Sequence, residues 1–189
     1  MFSAERDNLS GLLARARTTA SRLLEPLGDR WAHVQGVARV AEQLSGVLRP
    51  SDRNYLVAAA LLHDVGYAPA LARTGFHPLD GARYLEWQGE DWRLCCLVAH
   101  HSAARYEAHA RELDMELAAF DREEGAVVDA LVYADMTTGP TGRPISVEAR
   151  FNDIRDRYAA EDPVSRALRE AEPVLLASIE RTRDRLRPH

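Results

Sequence analysis

The sequence predicts an all-α protein. Apolar residues recur at three- and four-residue steps through most of the chain, and no run alternates apolar and polar residues between hairpin turns. Pro and Gly interrupt the helical runs at short intervals. The 189 residues include 46% hydrophobic and 28% charged residues, a usual composition for a globular domain with its own core. We therefore expect one helical domain over residues 1–189.

The positions of Pro and Gly predict where each helix begins and ends. Pro26 and Gly28 end the first helix, and Pro50 ends the second. Pro78 suits the first position of the fourth helix, because its missing N–H needs no partner there. Pro173 is expected to bend the last helix. We expect nine helices, at about residues 4–24, 31–48, 51–63, 78–87, 91–101, 106–120, 124–137, 147–160 and 163–186.

Charge and residue usage exclude several classes of function. All 24 basic residues are Arg, so the chain has neither a Schiff-base lysine nor the lysine of a phosphate-binding loop. The net charge of -5 argues against binding to duplex nucleic acid, which needs a basic surface. Cys95 and Cys96 are adjacent and form no zinc or disulfide pattern. Because no signal peptide or membrane-length apolar run is present either, we expect a cytoplasmic protein without a membrane partner.

Four of the predicted helices each place one polar side chain on their apolar face. These residues are His33, His63, His101 and Asp135, which continue the apolar stripes of Val37, Ala60, Val98 and Leu131. A single His on such a face is usually a core residue that is hydrogen-bonded to a carbonyl. A buried Asp135 needs a cation, either an Arg or a metal ion, because an unpaired carboxylate is costly in a core.

Taken together, these residues predict one shared metal site. Asp64 directly follows His63, and His100 directly precedes His101, so each adjacent pair can approach one ion from two angles. Imidazoles mixed with carboxylates suit Mn, Fe, Co or Ni better than a closed zinc site, and Mg is also open. His109 and His189 are expected to be solvated.

The motifs around these residues resemble a known family. They are His33, LLHDVG at 61–66, FHPLDGARYL at 76–85, VAHHS at 98–102 and YAD at 133–135. In this order they resemble the HD-domain superfamily of metal-dependent phosphohydrolases, close to its small HDIG-type members, with Val65 in place of the usual Ile. The resemblance implies a helical HD-domain core at residues 30–138 and a C-terminal helical extension at residues 139–189 that packs on it.

The resemblance also implies which residues form the site. One ion would be held by His33, His63, Asp64 and Asp135, and a second by His77, His100 and His101, with Asp64 bridging the two. The chain would therefore hold one or two divalent ions. The Gly-Tyr-Pro loop of cyclic-di-GMP phosphodiesterases is missing after the His-His pair, and the Glu-Asp pair of guanosine tetraphosphate hydrolases is also missing.

The activity implied is hydrolysis of a phosphoester or phosphoanhydride in a small nucleotide-like substrate. A divalent ion lowers the pKa of a water, and Asp64 would orient that water or accept its proton. Because the chain has no Lys, Arg must supply the cationic side-chain contacts to phosphate. Arg105 and Arg143 are the candidates, and the alternative for each is a solvated surface side chain.

Two other functions stay open from the sequence alone. A di-iron oxygenase uses the same helical scaffold, and His77 with His100 or His101 would complete its ligand set. A metal-stabilised module without catalysis would keep the ligands behind a blocked pocket. The Arg-rich stretch at residues 181–187 is expected to be a solvated helix face, with a homodimer contact as the alternative.

Overall fold

The computed structural model describes residues 2–187, with side chains from residue 11 onwards, and it confirms the all-α fold. The helices are α1 (Phe2–Leu24), α2 (Asp29–Leu44), α3 (Pro50–Leu62), α4 (His77–Trp87), α5 (Trp92–Ala99), α6 (Arg105–Ala110), α7 (Asp114–Leu117), α8 (Ala126–Met136), α9 (Val147–Arg157) and α10 (Pro163–Leu186). Over the described range the only β-type pairing is a single bridge between Thr138 and Pro144. The expectation for His189 lies outside the described residues.

The structure differs from the predicted helices at two places. The segment predicted as one helix at 106–120 is two helices, because the chain turns at Glu112, whose φ is 60°. The fifth helix ends at Ala99, since Ser102 and Ala103 adopt left-handed conformations with φ of 48° and 59°. Pro173, where a bend was expected, lies inside α10, which continues past it as one helix.

The central helix of the fold is α3, which packs against α1, α2, α5 and α8. Its residues from Leu56 to Leu62 are all buried. Fully burying a Leu side chain stabilises the fold by roughly 1.5–3 kcal/mol, and the three alanines at 58–60 let the neighbouring helices approach closely. Because α3 ends in the middle of the protein, His63 and Asp64 follow it into the interior.

The C-terminal helix α10 packs on α6 and α8. A second group of buried apolar residues joins α8, α9 and α10: Val132, Met136, Val147, Phe151, Leu168, Ala171, Leu175 and Ile179. Asp129 on α8 adds a polar attachment, because its carboxylate accepts hydrogen bonds from Arg181 at 2.6 and 2.9 Å and from Arg185 at 2.8 Å. We propose that the segment after residue 138 is part of one folding unit with the rest.

Among the described residues, no helix combines the length and the apolar character that crossing a bilayer requires.

Cys95 and Cys96 are buried in α5, and both are free thiols. Burial raises the pKa of Cys95 to about 12, so this thiol is protonated at neutral pH and is a core side chain.

Candidate metal centre

The ends of several helices bring six His and Asp side chains together in the interior. They are His33 in α2, His63 and Asp64 after α3, His77 at the start of α4, His101 after α5 and Asp135 near the end of α8. All are between 1% and 7% exposed except His77, which is half-buried. Four of these six residues occupy the inward positions that helical periodicity predicted.

The ligand atoms of this cluster form two groups that share one carboxylate. Those of His33, His63 and Asp64 all lie within 4.8 Å of one another, and so do those of Asp64, His77 and His101. Asp64 Oδ1 lies 3.5 Å from His63 Nε2 and 3.3 Å from His77 Nε2. Asp64 is therefore the one residue that the two groups have in common.

Backbone carbonyls fix the orientation of the three buried imidazoles. Nδ1 of His33, His63 and His101 donates to the carbonyls of Gly139, Ala60 and Val98 at 3.1, 2.9 and 2.7 Å, respectively. A carbonyl oxygen only accepts, so in the neutral ring Nδ1 carries the proton and Nε2 is the unprotonated ligand atom. Metal-binding histidines are commonly oriented by such a hydrogen bond.

The Nε2 atoms face one another and a carboxylate, and this arrangement calls for cations. His63 Nε2 is buried without a hydrogen-bond partner. His33 Nε2 lies 3.1 Å from Asp135 Oδ1, and His101 Nε2 lies 3.2 Å from His77 Nε2. Lone pairs that point at one another repel unless a positive charge lies between them. The residues therefore fit divalent metal ions.

The pKa values of the buried groups favour the forms that bind metal ions. Burial lowers the pKa of His63, and it lowers the pKa of His101 to about 3. Burial alone would raise the pKa of Asp64 and Asp135. His63 and Arg30 beside Asp64 outweigh burial and hold its pKa well below the usual range. The hydrogen bond with His33 and the charge of Arg150 do the same for the pKa of Asp135. At neutral pH the two imidazoles are neutral and the two carboxylates are ionised, as metal ligands must be.

Two Arg side chains at the cluster were missed by the sequence analysis. Arg30 Nη1 donates to Asp64 Oδ2 at 2.8 Å, and Arg150 Nη2 lies 3.3 Å from Asp135 Oδ1 and 3.5 Å from His33 Nε2. The Arg partner that the sequence left open for Asp135 is therefore present, beside the grouped ligand atoms. Arg30 precedes His33 by three residues on α2, which was an available signal. Nothing in the local pattern distinguishes Arg150.

Three residues selected from the sequence lie away from the cluster. His100 Nε2 donates to the Phe120 carbonyl at 2.8 Å, because the chain leaves α5 here and turns the ring away from that of the next residue. Arg105 lies against the Tyr106 ring, with its carbon Cζ 4.8 Å from the ring centroid. Arg143 is exposed in the loop after α8. The structure therefore does not bring these three side chains into the cluster.

Ser102 is a further residue of the site that the sequence did not indicate. Its Oγ donates a short hydrogen bond to Asp135 Oδ2. Ser102 and Ala103 both have positive φ, a conformation that costs a residue with a Cβ roughly 1–2 kcal/mol. This strained turn places the Ser102 hydroxyl on the carboxylate, as strain often does at functional sites.

Two glycines allow the backbone segments of the site to approach closely. A Cβ at Gly66 would lie 1.9 Å from the carbonyl oxygen of His77, so only Gly lets α4 reach the turn after α3. A Cβ at Gly142, whose φ is +72°, would lie 2.1 Å from the carbonyl oxygen of Ala32. This close approach holds the loop at residues 139–142 against α2, so that the Gly139 carbonyl can accept the hydrogen bond from His33 Nδ1.

The cluster opens into a cleft of about 120 Å³. Its lining includes three Arg side chains, Arg30, Arg150 and Arg157, and three acidic ones, Asp64, Asp135 and Glu107. Apolar side chains from α8, α9 and α10, among them Met136, Ile154 and Leu168, form another part of the lining. The Arg and acidic charges of the lining cancel, so bound divalent ions would make the cleft positive and attractive to an anion.

The fold and the cluster define the class: an all-helical protein with a buried His/Asp centre suited to divalent ions. The HD domain family model matches residues 30–161, more than two thirds of the chain, and this range includes the whole cluster. The chain therefore belongs to the HD-domain family, within a superfamily of mostly metal-dependent phosphohydrolases, as its motifs predicted. No curated protein sequence and no solved structure matches the chain significantly.

Proposed function

We propose that this protein hydrolyses a phosphoester or phosphoanhydride bond of a small substrate with the help of divalent ions. The observation that carries the proposal is the pair of ligand groups sharing Asp64, in which buried imidazoles present unprotonated Nε2 atoms. Divalent ions, when bound, supply an activated water and positive charge for the phosphoryl oxygens.

We assign the cluster to two ions. The proposed ligands of the first are His33, His63, Asp64 and Asp135, and those of the second are Asp64, His77 and His101. Mn, Fe, Co and Ni fit this set, and Mg is a further candidate to be tested. Of the three histidines that the resemblance implies for the second ion, His77 and His101 are kept. His100 is left out because its ring is hydrogen-bonded to the Phe120 carbonyl.

Asp64 is the proposed catalytic residue. Arg30 holds its Oδ2, which leaves Oδ1 facing the histidines of both groups. From this position the carboxylate can orient the attacking water or accept its proton. The Arg30 guanidinium is itself fixed on the Tyr67 ring, 4.0 Å from its centroid, and Tyr67 stacks on His77 at 4.0 Å. The stack therefore positions a cation and a metal ligand together.

Arg30, Arg150 and Arg157 are the proposed phosphate-binding side chains, in place of Arg105 and Arg143. All three line the cleft. Asp153 pairs with Arg150 at 3.1 Å and with Arg157 at 2.6 Å, which orients both guanidinium groups from outside the cleft lining. A guanidinium matches two phosphoryl oxygens at once, so a phosphoryl group in the cleft can be held by paired hydrogen bonds.

A di-iron oxygenase is the second candidate function. The observation that favours it is the group of Asp64, His77 and His101, which would give a second iron three ligands. Iron in the purified protein together with oxygen uptake, and no phosphate release from any substrate, would establish this candidate instead.

The proposal is tested by phosphate release from nucleotides and simple phosphoesters in the presence of Mn, Co, Ni or Mg. We expect release with at least one ion, and loss of at least a hundredfold in His63→Ala and Asp64→Asn. His109→Ala is the matched control, because this exposed ring pairs with the Asp114 carboxylate and belongs to neither ligand group. Unchanged turnover in the two cluster variants would refute the proposal.

Several finer expectations stay predictions. The cytoplasmic location, the lack of a duplex nucleic-acid partner and the homodimer contact through the C-terminal helix are among them. The expectation of a nucleotide-like substrate rests on the resemblance of the motifs, whereas the apolar lining of the cleft favours another organic group.

A further inference from the structure

The lining of the cleft has two parts of different chemistry. The metal-ligand cluster and the Arg side chains form one part. The other part is a stripe on α10, formed by Val164, Ala167, Leu168, Ala171 and Leu175 at three- and four-residue steps along one helix face. The whole of this helix lies beyond residue 161, where the HD-domain match ends. The wall that would face the organic part of a substrate is therefore supplied by this chain's C-terminal helix.

This wall offers no hydrogen-bonding side chain. Ala167, Leu168, Ala171 and Leu175 are between 2% and 8% exposed, and Met136 and Ile154 extend the apolar lining from α8 and α9. The lining also includes the polar side chains of Glu107 on α6, a helix that packs against α10, and of Tyr158 after α9. The stripe on α10 itself is apolar throughout.

The size and the chemistry of the cleft together restrict the substrate. A volume of about 120 Å³ is well below the roughly 300–1,000 Å³ of pockets that hold drug-sized ligands. It suits a phosphoryl group with a few carbon atoms. A sugar and a base would bring several hydrogen-bonding groups against α10 without partners, and each unpaired group weakens binding.

We propose that the substrate of this site is a phosphomonoester of a short apolar group, alkyl or aryl, which the α10 stripe selects over a nucleotide. The inference rests on the proposed phosphohydrolase function for its phosphoryl end. The Arg side chains and bound ions hold the dianionic phosphoryl group, while the apolar group leaves water for the α10 wall. The preference for a substrate then increases with the apolar area of its organic group that α10 covers.

Binding of phosphonates, which are not hydrolysed, tests the inference without turnover. We expect the affinity of the Mn-loaded protein, measured by calorimetry, to rise from methylphosphonate to butylphosphonate by about fourfold per added methylene. The phosphonate analogue of adenosine 5′-monophosphate, in which a methylene group replaces the 5′ oxygen so that it is not hydrolysed, should bind the same Mn-loaded protein more weakly than butylphosphonate. Equal affinity along the alkyl series, or tighter binding of the nucleotide, would overturn the inference.

A matched pair of substitutions places the selectivity on α10. Val164→Thr keeps the shape of a half-buried wall residue and adds a hydroxyl, so it should weaken butylphosphonate binding several-fold and leave methylphosphonate unchanged. Val174→Thr makes the same change on the same helix at an exposed position that does not line the cleft, and should change neither. If both variants bind both phosphonates like the unsubstituted chain, α10 does not select the substrate.

The results separate this inference from the proposed function. A rising alkyl series without hydrolysis of any phosphoester would leave the selectivity in place and refute the phosphohydrolase. Hydrolysis of nucleotides with higher kcat/KM than butyl or phenyl phosphate would leave the phosphohydrolase in place and refute the apolar substrate.

Discussion

Arg150 Nη2 lies 3.3 Å from Asp135 Oδ1, and both side chains are buried. The same nitrogen lies 3.5 Å from His33 Nε2, while Arg150 Nε is buried without a partner. One guanidinium from α9 thus contacts two proposed ligands of the first ion. A lone pair that accepts from Arg150 is not free to coordinate, so Arg150 and the ion compete for these two atoms.

Removing this competition should strengthen metal binding. In a calorimetric titration we expect Arg150→Gln to bind its first Mn²⁺ about tenfold more tightly than the unsubstituted chain. The substitution removes the repulsion between the guanidinium and the ion, and it also removes the competition for the ligand atoms. The control is Arg155→Gln, an exposed Arg of the same helix that pairs with Glu172. Unchanged or weaker Mn²⁺ binding by Arg150→Gln would show that the guanidinium does not compete.

The Ser102 hydroxyl should contribute to metal affinity through Asp135. Ser102→Ala removes the hydrogen bond to Asp135 Oδ2, and loss of such an outer contact typically lowers metal affinity about 10–100-fold. Ala103→Gly relieves the neighbouring left-handed residue without touching the hydroxyl, so it should leave Mn²⁺ affinity unchanged and raise the melting temperature. Equal Mn²⁺ affinities in all three proteins would contradict the role of Ser102.

The buried histidines should make the metal-free protein sensitive to acid. An imidazole in the unfolded chain titrates near pH 6.5, whereas burial holds the pKa of His101 at about 3. Between these values the unfolded chain binds more protons than the folded one. The free energy of unfolding therefore falls with decreasing pH, by up to about 1.4 kcal/mol per pH unit for this group.

Urea unfolding in the presence of a chelator measures this dependence. We expect lower stability at pH 5 than at pH 7, and a shallower dependence in His101→Gln, which removes the titrating ring. His109→Gln replaces an exposed ring and should keep the original dependence. A stability that does not change between pH 5 and pH 7 would contradict the buried, neutral state of His101.

The attachment of α10 through Asp129 should stabilise the whole protein. Asp129→Asn weakens the hydrogen bonds from Arg181 and Arg185 and is expected to cost about 1–3 kcal/mol of unfolding free energy. Burial raises the pKa of Asp129, but its Arg partners outweigh burial and keep the pKa low, so this stabilisation is lost only at acidic pH. Asp184→Asn, which alters an exposed pair with Arg187, should cost less than about 0.5 kcal/mol. Two separate unfolding transitions would contradict a single folding unit.

Helical periodicity located most of the fold and the inward-facing polar residues. His33, His63, His101 and Asp135 continue apolar stripes, and burial of such a stripe also buries the polar residue within it. The break between α6 and α7 was missed, because it depends on a left-handed residue at Glu112, a type with no turn preference of its own.

The remaining parts of the candidate site depend on contacts between distant segments. Periodicity places His101 on the apolar stripe, but the way the chain leaves α5 commits the neighbouring His100 ring to the Phe120 carbonyl. Arg150 is 15 residues after Asp135 and 117 after His33, and neither separation has a local signature. Arg105 and Arg143 were chosen for nearness in sequence, which does not determine nearness to the cleft.

The metal content of purified variants tests the account most directly, because Asp64 belongs to both ligand groups. After chelation and reloading with Mn²⁺, we expect two ions per unsubstituted chain, one ion in His77→Ala and none in Asp64→Asn. His109→Ala, the exposed control, should keep both ions. An Asp64→Asn protein that is folded and binds as many Mn²⁺ ions as the unsubstituted chain would contradict the shared metal centre.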